Sequence, residues 1–122
     1  MARVGHFDFS ATDPAKLMPF YKDIFGWKFE KAAMPDMDYW LVSTGPDKEP
    51  GINGGMTKRF KDNSILNTIM VENLDATLKK IAAARGKITQ PRGPIPGVGW
   101  YAQFTDPQDN SFGLLQMDPS AK

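Results

Sequence analysis

Hydrophobic and polar residues alternate near the start of the chain and then change to a helical spacing. Residues 3–9 have the period of two that is typical of a strand, with His6 and Asp8 on one face and Phe7 and Phe9 on the other. A stripe of apolar residues at intervals of three and four then predicts a helix. Its members are Leu17, Phe20, Tyr21, Ile24 and Phe25. Asp13 and Pro14 are typical of a helix start and Gly26 of a helix end.

The rest of the chain predicts three more strands and then a repeat of the whole pattern. The strands are predicted at residues 27–31, 38–44 and 51–57. At an offset of 60 residues, Asn73 takes the position of Asp13, and Gly86 that of Gly26, so a second helix is predicted to end at Gly86. Further strands are predicted at 66–71, 87–90, 99–105 and 112–117, with a proline-rich loop over 91–99. The chain is therefore predicted to be one domain, 1–122, with two tandem βαβββ modules over about 3–60 and 63–118.

Such a repeat predicts an α+β fold with a cavity. The apolar stripe of the first helix needs an apolar partner, so we expect Phe7 and Phe9 to face it and His6 and Asp8 to face away. By the same parity, Thr68 points to the corresponding side in the second half. Two four-stranded sheets side by side are expected to form a curved eight-stranded mixed sheet around a small-molecule cavity.

The amino-acid composition argues against several classes of function. The formal charge of +1 argues against a nucleic-acid partner. The absence of Cys excludes thiolate sites, and the single His excludes any site that needs two His ligands from one chain. No stretch approaches the roughly 20 apolar residues of a membrane span, and no signal peptide is apparent. We therefore expect a cytoplasmic protein with neither nucleic-acid nor membrane partners.

Three motifs, combined with the paired βαβββ order, resemble the vicinal oxygen chelate superfamily. They are His-Phe-Asp-Phe at 6–9, Phe-Tyr-Lys-Asp-Ile-Phe-Gly-Trp at 20–27 and Asp-Pro-Gln-Asp-Asn-Ser-Phe-Gly-Leu at 106–114. The superfamily includes glyoxalase I, extradiol dioxygenases, methylmalonyl-CoA epimerase, and fosfomycin- and bleomycin-resistance proteins. The chain is most similar to its small glyoxalase-related bacterial members, and this resemblance implies a homodimer.

The resemblance also implies four positions for the ligands of a divalent metal. His6 occupies the first of them. The second falls on Asn53 or Gly55, while Leu66 and Gly113 occupy the third and fourth. Three of the four ligands are thus lost, and the glycines leave space where relatives place a side chain. We predict no cofactor, with His6 a metal ligand only if an atypical set of donors holds a metal.

The predicted site has His6 as its acid–base residue, because imidazole titrates near neutral pH. A plain polar lining of the cavity is the alternative role for His6. The predicted binding residues are Asp8, Tyr39, Trp40, Asn53, Thr68, Tyr101 and Gln103. Tyr39 and Trp40 are consecutive, so only one of them faces the cavity, and the pattern leaves open which.

Three functions remain open at this point. The first is a glyoxalase-related protein that binds a small organic molecule without the family metal, as an isomerase or lyase that uses His6. The second is non-catalytic sequestration of a drug or toxin, as in the bleomycin-binding relatives. The third is a metal-dependent glyoxalase or dioxygenase with atypical ligands. Whether the protein is an enzyme is not decided by its sequence.

Overall fold

The computed structural model of the protein describes residues 2–34, 37–58 and 65–122. Within these ranges the chain forms eight strands and two helices, and the order βαβββ occurs twice. The elements are β1 (Arg3–Ala11), α1 (Pro14–Phe25), β2 (Lys28–Lys31), β3 (Tyr39–Ser43), β4 (Gly54–Lys58), β5 (Ile65–Met70), α2 (Leu74–Ala83), β6 (Lys87–Ile95), β7 (Gly99–Thr105) and β8 (Ser111–Met117). The predicted α+β fold and its repeat are confirmed. The predicted boundary between the modules, at 60–63, lies outside the described residues.

The chain divides into two compact units, and the two have the same strand order. The first unit is His6–Ile65, and the second is Leu66–Lys122 together with the N-terminal residues up to Gly5. In the first unit the strands lie in the order β2-β3-β4-β1, with β1 and β4 parallel and the other pairs antiparallel. In the second unit the order is β6-β7-β8-β5, with β5 and β8 parallel.

Both helices begin at the predicted capping residues. The Asp13 carboxylate accepts a hydrogen bond from the Lys16 backbone N–H at 3.3 Å. The Asn73 side chain accepts one from the Ala76 backbone N–H at 3.0 Å. Each cap satisfies a backbone donor that the first helical turn leaves without a partner. Helix α1 continues through Pro19, which lies inside the helix.

The two helices end differently, which corrects one prediction. Gly26 ends α1 in the left-handed conformation, with φ 73°. Helix α2 ends at Ala83 with Ala84 as its C-cap, and the left-handed residue that follows is Arg85, not Gly86. Gly86 is needed for space instead, because a Cβ there would lie 2.5 Å from Ile81 Cγ2 and 3.1 Å from the Thr105 carbonyl oxygen.

The predicted proline-rich loop over 91–99 is mostly wrong, because β6 extends through Ile95. This strand lies at the outer edge of the second unit's sheet, where it pairs only with β7 among the described strands. Its pairing register shifts between Ile88 and Gln90 and again between Gln90 and Gly93. An edge strand with irregular pairing tolerates proline, since the missing N–H is not required by a second neighbour.

Each unit has its own hydrophobic core between its helix and its sheet. In the first unit Phe9, Ala11, Val42 and Met56 are buried, and in the second Leu74, Ala102 and Leu114 are buried. The Phe9 and Tyr21 rings lie 5.3 Å apart, and those of Phe7 and Trp27 lie 5.9 Å apart. Phe7 also packs on the same core as Leu17 of α1, so Phe7 and Phe9 both face the first helix, which leaves His6 and Asp8 on the opposite face of β1.

Neither of the helices in the described ranges is long and apolar enough to cross a membrane.

Candidate functional site

Three polar side chains of the first unit meet in one hydrogen-bonded cluster. The Tyr39 hydroxyl donates to Asp8 Oδ1 at 2.7 Å. His6 Nε2 lies 3.2 Å from the same carboxylate oxygen and 3.1 Å from the Tyr39 hydroxyl oxygen. The side chains of His6 and Asp8 are 32% and 26% exposed, so the cluster is in reach of solvent and of a ligand. We call these three residues the His6 cluster.

The register of the sheet explains why Tyr39 joins this cluster. Gly55 on β4 pairs with Asp8 on β1 and with Leu41 on β3, and Tyr39 lies two residues before Leu41. Side chains two residues apart on a strand share a face, and diagonal neighbours across strands are within reach of an aromatic side chain. A Cβ on Gly55 would overlap the Tyr39 hydroxyl and lie 2.6 Å from Asp8 Oδ1. The space predicted at Gly55 is therefore filled by the Tyr39 hydroxyl.

A pocket of about 590 Å³ lies beside His6 in the first unit. This volume is within the roughly 300–1,000 Å³ of sites that bind small organic molecules. Besides His6, the lining includes Lys28, Phe29, Glu30, Leu41, Ser43 and Asn53. His6 belongs to both the pocket and the cluster, so a titratable group lies in the pocket wall.

The second unit repeats the geometry of the cluster with different residues. Gly113 on β8 pairs with Thr68 on β5 and with Gln103 on β7, and Tyr101 lies two residues before Gln103. A Cβ on Gly113 would lie 2.7 Å from both Thr68 Oγ1 and the Tyr101 hydroxyl oxygen. A tyrosine hydroxyl thus lies over a glycine in each unit. We call Thr68, Tyr101 and Gln103 the Thr68 cluster.

The Thr68 cluster contains only neutral polar side chains. Gln103 Nε2 donates to the Tyr101 hydroxyl oxygen at 3.0 Å. Thr68 is 1% exposed, and its Oγ1 has no hydrogen-bond partner among the described residues. Leu66 stands where the first unit has His6, at the offset of 60 residues. This cluster has no group that titrates near neutral pH, so the acid–base chemistry of the two clusters is confined to the first unit.

Two other predicted binding residues lie outside both clusters. Trp40 packs against the first unit's core and has the Lys31 ammonium 5.4 Å from its ring centroid. Asn53 lines the pocket, and its Oδ1 accepts a hydrogen bond from the Thr44 backbone N–H at 2.9 Å. Of the consecutive pair, Tyr39 therefore contacts His6 while Trp40 is on the core side. The sequence alone left this open because it does not determine the strand register.

The side chains at the four implied ligand positions do not fit a divalent metal. Such an ion needs several N or O donors at bonding distance. His6 Nε2 is engaged with Asp8 and Tyr39, and the Gly55 position holds a hydroxyl that donates to a carboxylate. Leu66 and Gly113 have no donor side chain. Across residues 2–34, 37–58 and 65–122, no group of three His, Cys, Asp or Glu side chains is placed to hold a metal ion.

The chain belongs to the Glyoxalase/Bleomycin resistance protein/Dioxygenase superfamily, whose family model matches residues 3–114. Its curated relatives include CFP32 of Mycobacterium bovis and of Mycobacterium tuberculosis, to which glyoxylase activity is ascribed. Both are 27% identical over 119 residues, a match that covers 89% of this chain and 43% of theirs. The chain therefore spans less than half the length of these relatives.

Solved structures of low sequence identity share the fold. Methylmalonyl-CoA epimerase from Mycobacterium tuberculosis superimposes with a TM-score of 0.72 at 12% identity, over 94% of this chain and 87% of that one. The Mn(II)-bound glyoxalase from Novosphingobium aromaticivorans has a TM-score of 0.68 at 17% identity, over 100% of this chain and 42% of that one. At these identities the likeness establishes the fold, and the function has to be argued from the site.

Proposed function

We propose that this protein binds a small organic molecule in the pocket beside His6 and that His6 transfers a proton to or from it, in an isomerase or lyase reaction without the family metal. The observation that supports this is the direct contact of His6 with both the pocket and a carboxylate–tyrosine pair. Solved structures with the same fold include an epimerase and a glyoxalase. A homodimer and a cytoplasmic location stay predictions.

Each residue of the His6 cluster has a definite part in this proposal. The imidazole of His6 moves the proton, because it is the side chain whose ordinary pKa lies closest to neutral pH. The Asp8 carboxylate, 3.2 Å from Nε2, stabilises the positive charge that the ring acquires with a second proton. Tyr39 holds Asp8 with its hydroxyl hydrogen bond. A positioned general acid or base of this kind contributes about 10²–10⁴ in rate.

The lining of the pocket indicates what kind of molecule it accepts. Leu41 provides apolar surface, Ser43 and Asn53 provide hydrogen-bonding groups, and Lys28 and Glu30 carry charge. Small-molecule sites commonly combine a mostly apolar wall with a few polar groups that fix orientation. We propose Asn53 as a ligand contact, while Thr68, Tyr101 and Gln103 remain predicted binding residues. Trp40 packs on the core side and is not proposed as a ligand contact. The apolar surface of Leu41 in this pocket supports a second candidate, sequestration of a drug or toxin without catalysis.

One experiment separates catalysis from sequestration. Acyl-CoA esters, beginning with methylmalonyl-CoA, and small carbonyl compounds are screened for a thermal shift. Compounds that bind are then incubated in D₂O, and NMR measures the exchange of their C–H hydrogens. We expect exchange with the wild type and a loss of about 100-fold or more in His6→Gln, with little change in ligand affinity. Asp38→Asn serves as a control that keeps full exchange, since the exposed Asp38 carboxylate pairs with Lys31 at the surface, at 3.1 Å.

The outcomes decide between the three functions. Binding without exchange, unaffected by His6→Gln, would establish sequestration and contradict the proposal. Exchange that disappears on dialysis against EDTA and returns with a divalent ion would establish a metal enzyme with atypical ligands. Exchange that survives EDTA and requires His6 is the result we expect.

A further inference from the structure

The contacts within the His6 cluster determine which ring nitrogen of His6 carries a proton. A carboxylate only accepts hydrogen bonds, so the approach of Nε2 to Asp8 Oδ1 at 3.2 Å needs a proton on Nε2. The single Tyr39 hydroxyl proton is committed to Asp8 in the shorter contact of 2.7 Å. The Tyr39 oxygen, 3.1 Å from Nε2, can then only accept. Both contacts of Nε2 therefore require the same N–H.

The other ring nitrogen is left with its lone pair. A neutral imidazole has one N–H and one acceptor nitrogen, so a protonated Nε2 makes Nδ1 the acceptor. Nδ1 has no hydrogen-bond partner within the described part of the chain. The His6 side chain is 32% exposed and lines the pocket. A free basic nitrogen on a ring that is anchored at its opposite nitrogen is suited to take a proton from a bound molecule.

We infer that Asp8 and Tyr39 hold His6 as the Nε2–H tautomer, and that Nδ1 is the atom that moves the proton. Asp8 and Tyr39 are thus positioning residues, and the absence of a side chain at Gly55 is what admits the Tyr39 hydroxyl. The tautomer stands on the contacts alone, whereas the role of Nδ1 as the working atom rests on the proposed function.

The proton transfer is balanced by the ligand and the ring alone. When Nδ1 acts as a base, a C–H bond of the ligand breaks, its electron pair stays on the ligand, and an N–H bond forms at Nδ1. The ring becomes an imidazolium while Nε2 keeps its proton toward Asp8 and Tyr39. Return of the Nδ1 proton to the ligand regenerates the neutral tautomer, so no oxidant, reductant or other reactant is needed.

The single His of the chain makes this assignment directly measurable. The full-length protein, labelled with ¹⁵N in its histidine, gives one pair of ring nitrogen signals in a long-range ¹H–¹⁵N spectrum. At alkaline pH we expect a protonated Nε2, an unprotonated Nδ1 and an observable Nε2–H proton protected from exchange by its two acceptors. A proton on Nδ1, or rapid solvent exchange of the ring N–H, would overturn the inference.

Variants test whether Asp8 and Tyr39 cause the protection. We expect Tyr39→Phe and Asp8→Asn each to lose the observable Nε2–H signal while the backbone amide spectrum stays folded. Tyr21→Phe is the matched control, because it removes a tyrosine hydroxyl from the same unit, where Tyr21 stacks on Trp27 at 5.0 Å and makes no contact with the cluster in the described structure. Retention of the signal in both cluster variants would show that neither residue holds the ring, and would overturn the inference.

Failure of this inference is distinguishable from failure of the proposed function. An Nδ1–H tautomer overturns the inference alone, since His6 can still exchange protons through the other nitrogen. If C–H exchange of the ligand survives His6→Gln, the proposed function fails and the role of Nδ1 as the working atom fails with it. An Nε2–H tautomer together with exchange that requires His6 supports both.

Discussion

The two units place a tyrosine hydroxyl over a glycine by the same strand register, but the His6 cluster contains a carboxylate and an imidazole where the Thr68 cluster consists of neutral side chains. In the first unit the partner of the glycine across the parallel pair is Asp8, and in the second it is Thr68. Asp8 accepts from Tyr39 and lies beside the only His of the chain. Thr68 is buried, and its hydroxyl has no partner within the described residues.

This difference separates the part of the site that the fold determines from the part that individual residues determine. Pairing register fixes where the side chains of neighbouring strands meet, so Tyr39 and Tyr101 are placed alike. The chemistry then depends on the residues that β1 and β5 present beside each hydroxyl. His6 and Asp8 make the first unit capable of acid–base work, while Leu66 and Thr68 leave the second with hydrogen-bonding groups only.

The largest effect on the free energy of unfolding is expected when Gly55 or Gly113 is replaced by alanine. A Cβ at Gly55 would overlap the Tyr39 hydroxyl, whereas one at Gly113 would meet two hydroxyl oxygens at 2.7 Å. Overpacking of this kind costs about 1–3 kcal/mol. In urea denaturation we expect the loss of stability in Gly55→Ala to lie near the upper end of that range and the loss in Gly113→Ala to be smaller than in Gly55→Ala.

The cause of the Gly55 effect is tested by removing the side chain that it displaces. In Gly55→Ala combined with Tyr39→Ala, the new methyl group no longer overlaps a hydroxyl. The double variant should therefore be less destabilised than the sum of the two single variants. Additive effects would mean that the two positions do not compete for space, and would contradict the explanation of Gly55.

A smaller effect of opposite sign is expected at Thr68. Burying a hydroxyl without a hydrogen bond costs about 1–3 kcal/mol, so Thr68→Val, which keeps the shape and removes the hydroxyl, is expected to stabilise the protein by about 1 kcal/mol. Thr77→Val is the control, because the Thr77 hydroxyl donates to the Asn73 carbonyl at 2.8 Å and its loss should not stabilise. Thermal unfolding measures both. Destabilisation by Thr68→Val would show that the Thr68 hydroxyl has a hydrogen-bond partner. The two clusters would then both be hydrogen-bonded networks.

The sequence predicted the repeat well because its signals are local. Capping by Asp13 and Asn73 and the stop at Gly26 depend on residues within one helical turn, and all three occur in the structure. The prediction at Gly86 is wrong because a glycine after a helix has two explanations, a left-handed φ or a close approach of neighbouring atoms. The structure shows the second at Gly86, and places the left-handed conformation at Arg85.

The site was only partly predictable because it depends on pairing between distant strands. Alternation along β1 placed His6 and Asp8 on the face away from α1, as the packing of Phe9 on Tyr21 shows. Alternation along β3 could separate Tyr39 from Trp40 but not say which of them faces His6. That choice is made by the pairing of Gly55 with Leu41 and Asp8, a register that no local pattern records.

The smallest effect on stability is expected in the connection that precedes the last strand of each unit. The two units hold this connection with different hydrogen bonds. In the second unit, hydrogen bonds from the Asn110 backbone, the Asn110 side chain and the Gln108 backbone lower the pKa of Asp106 below its ordinary value of 3.8. In the first unit the acceptor in this connection is a neutral side chain, because Asn53 Oδ1 accepts a hydrogen bond from the Thr44 backbone N–H at 2.9 Å. The hydrogen bonds of Asp106 therefore depend on an ionised group, whereas that of Asn53 does not.

The pH dependence of stability distinguishes these two connections. Because the folded pKa of Asp106 is lowered, its ionised form stabilises the fold above pH 3.8, and this contribution is lost as the pH falls through the lower folded value. Asp106→Asn should thus be less stable than the wild type at neutral pH, with the difference shrinking in acid. Asn53→Ala removes a neutral acceptor, so its deficit should stay constant over the same acid range. Urea midpoints measured from neutral pH into acid check both, and an Asp106→Asn deficit that does not shrink would show that the carboxylate charge is not what holds the turn.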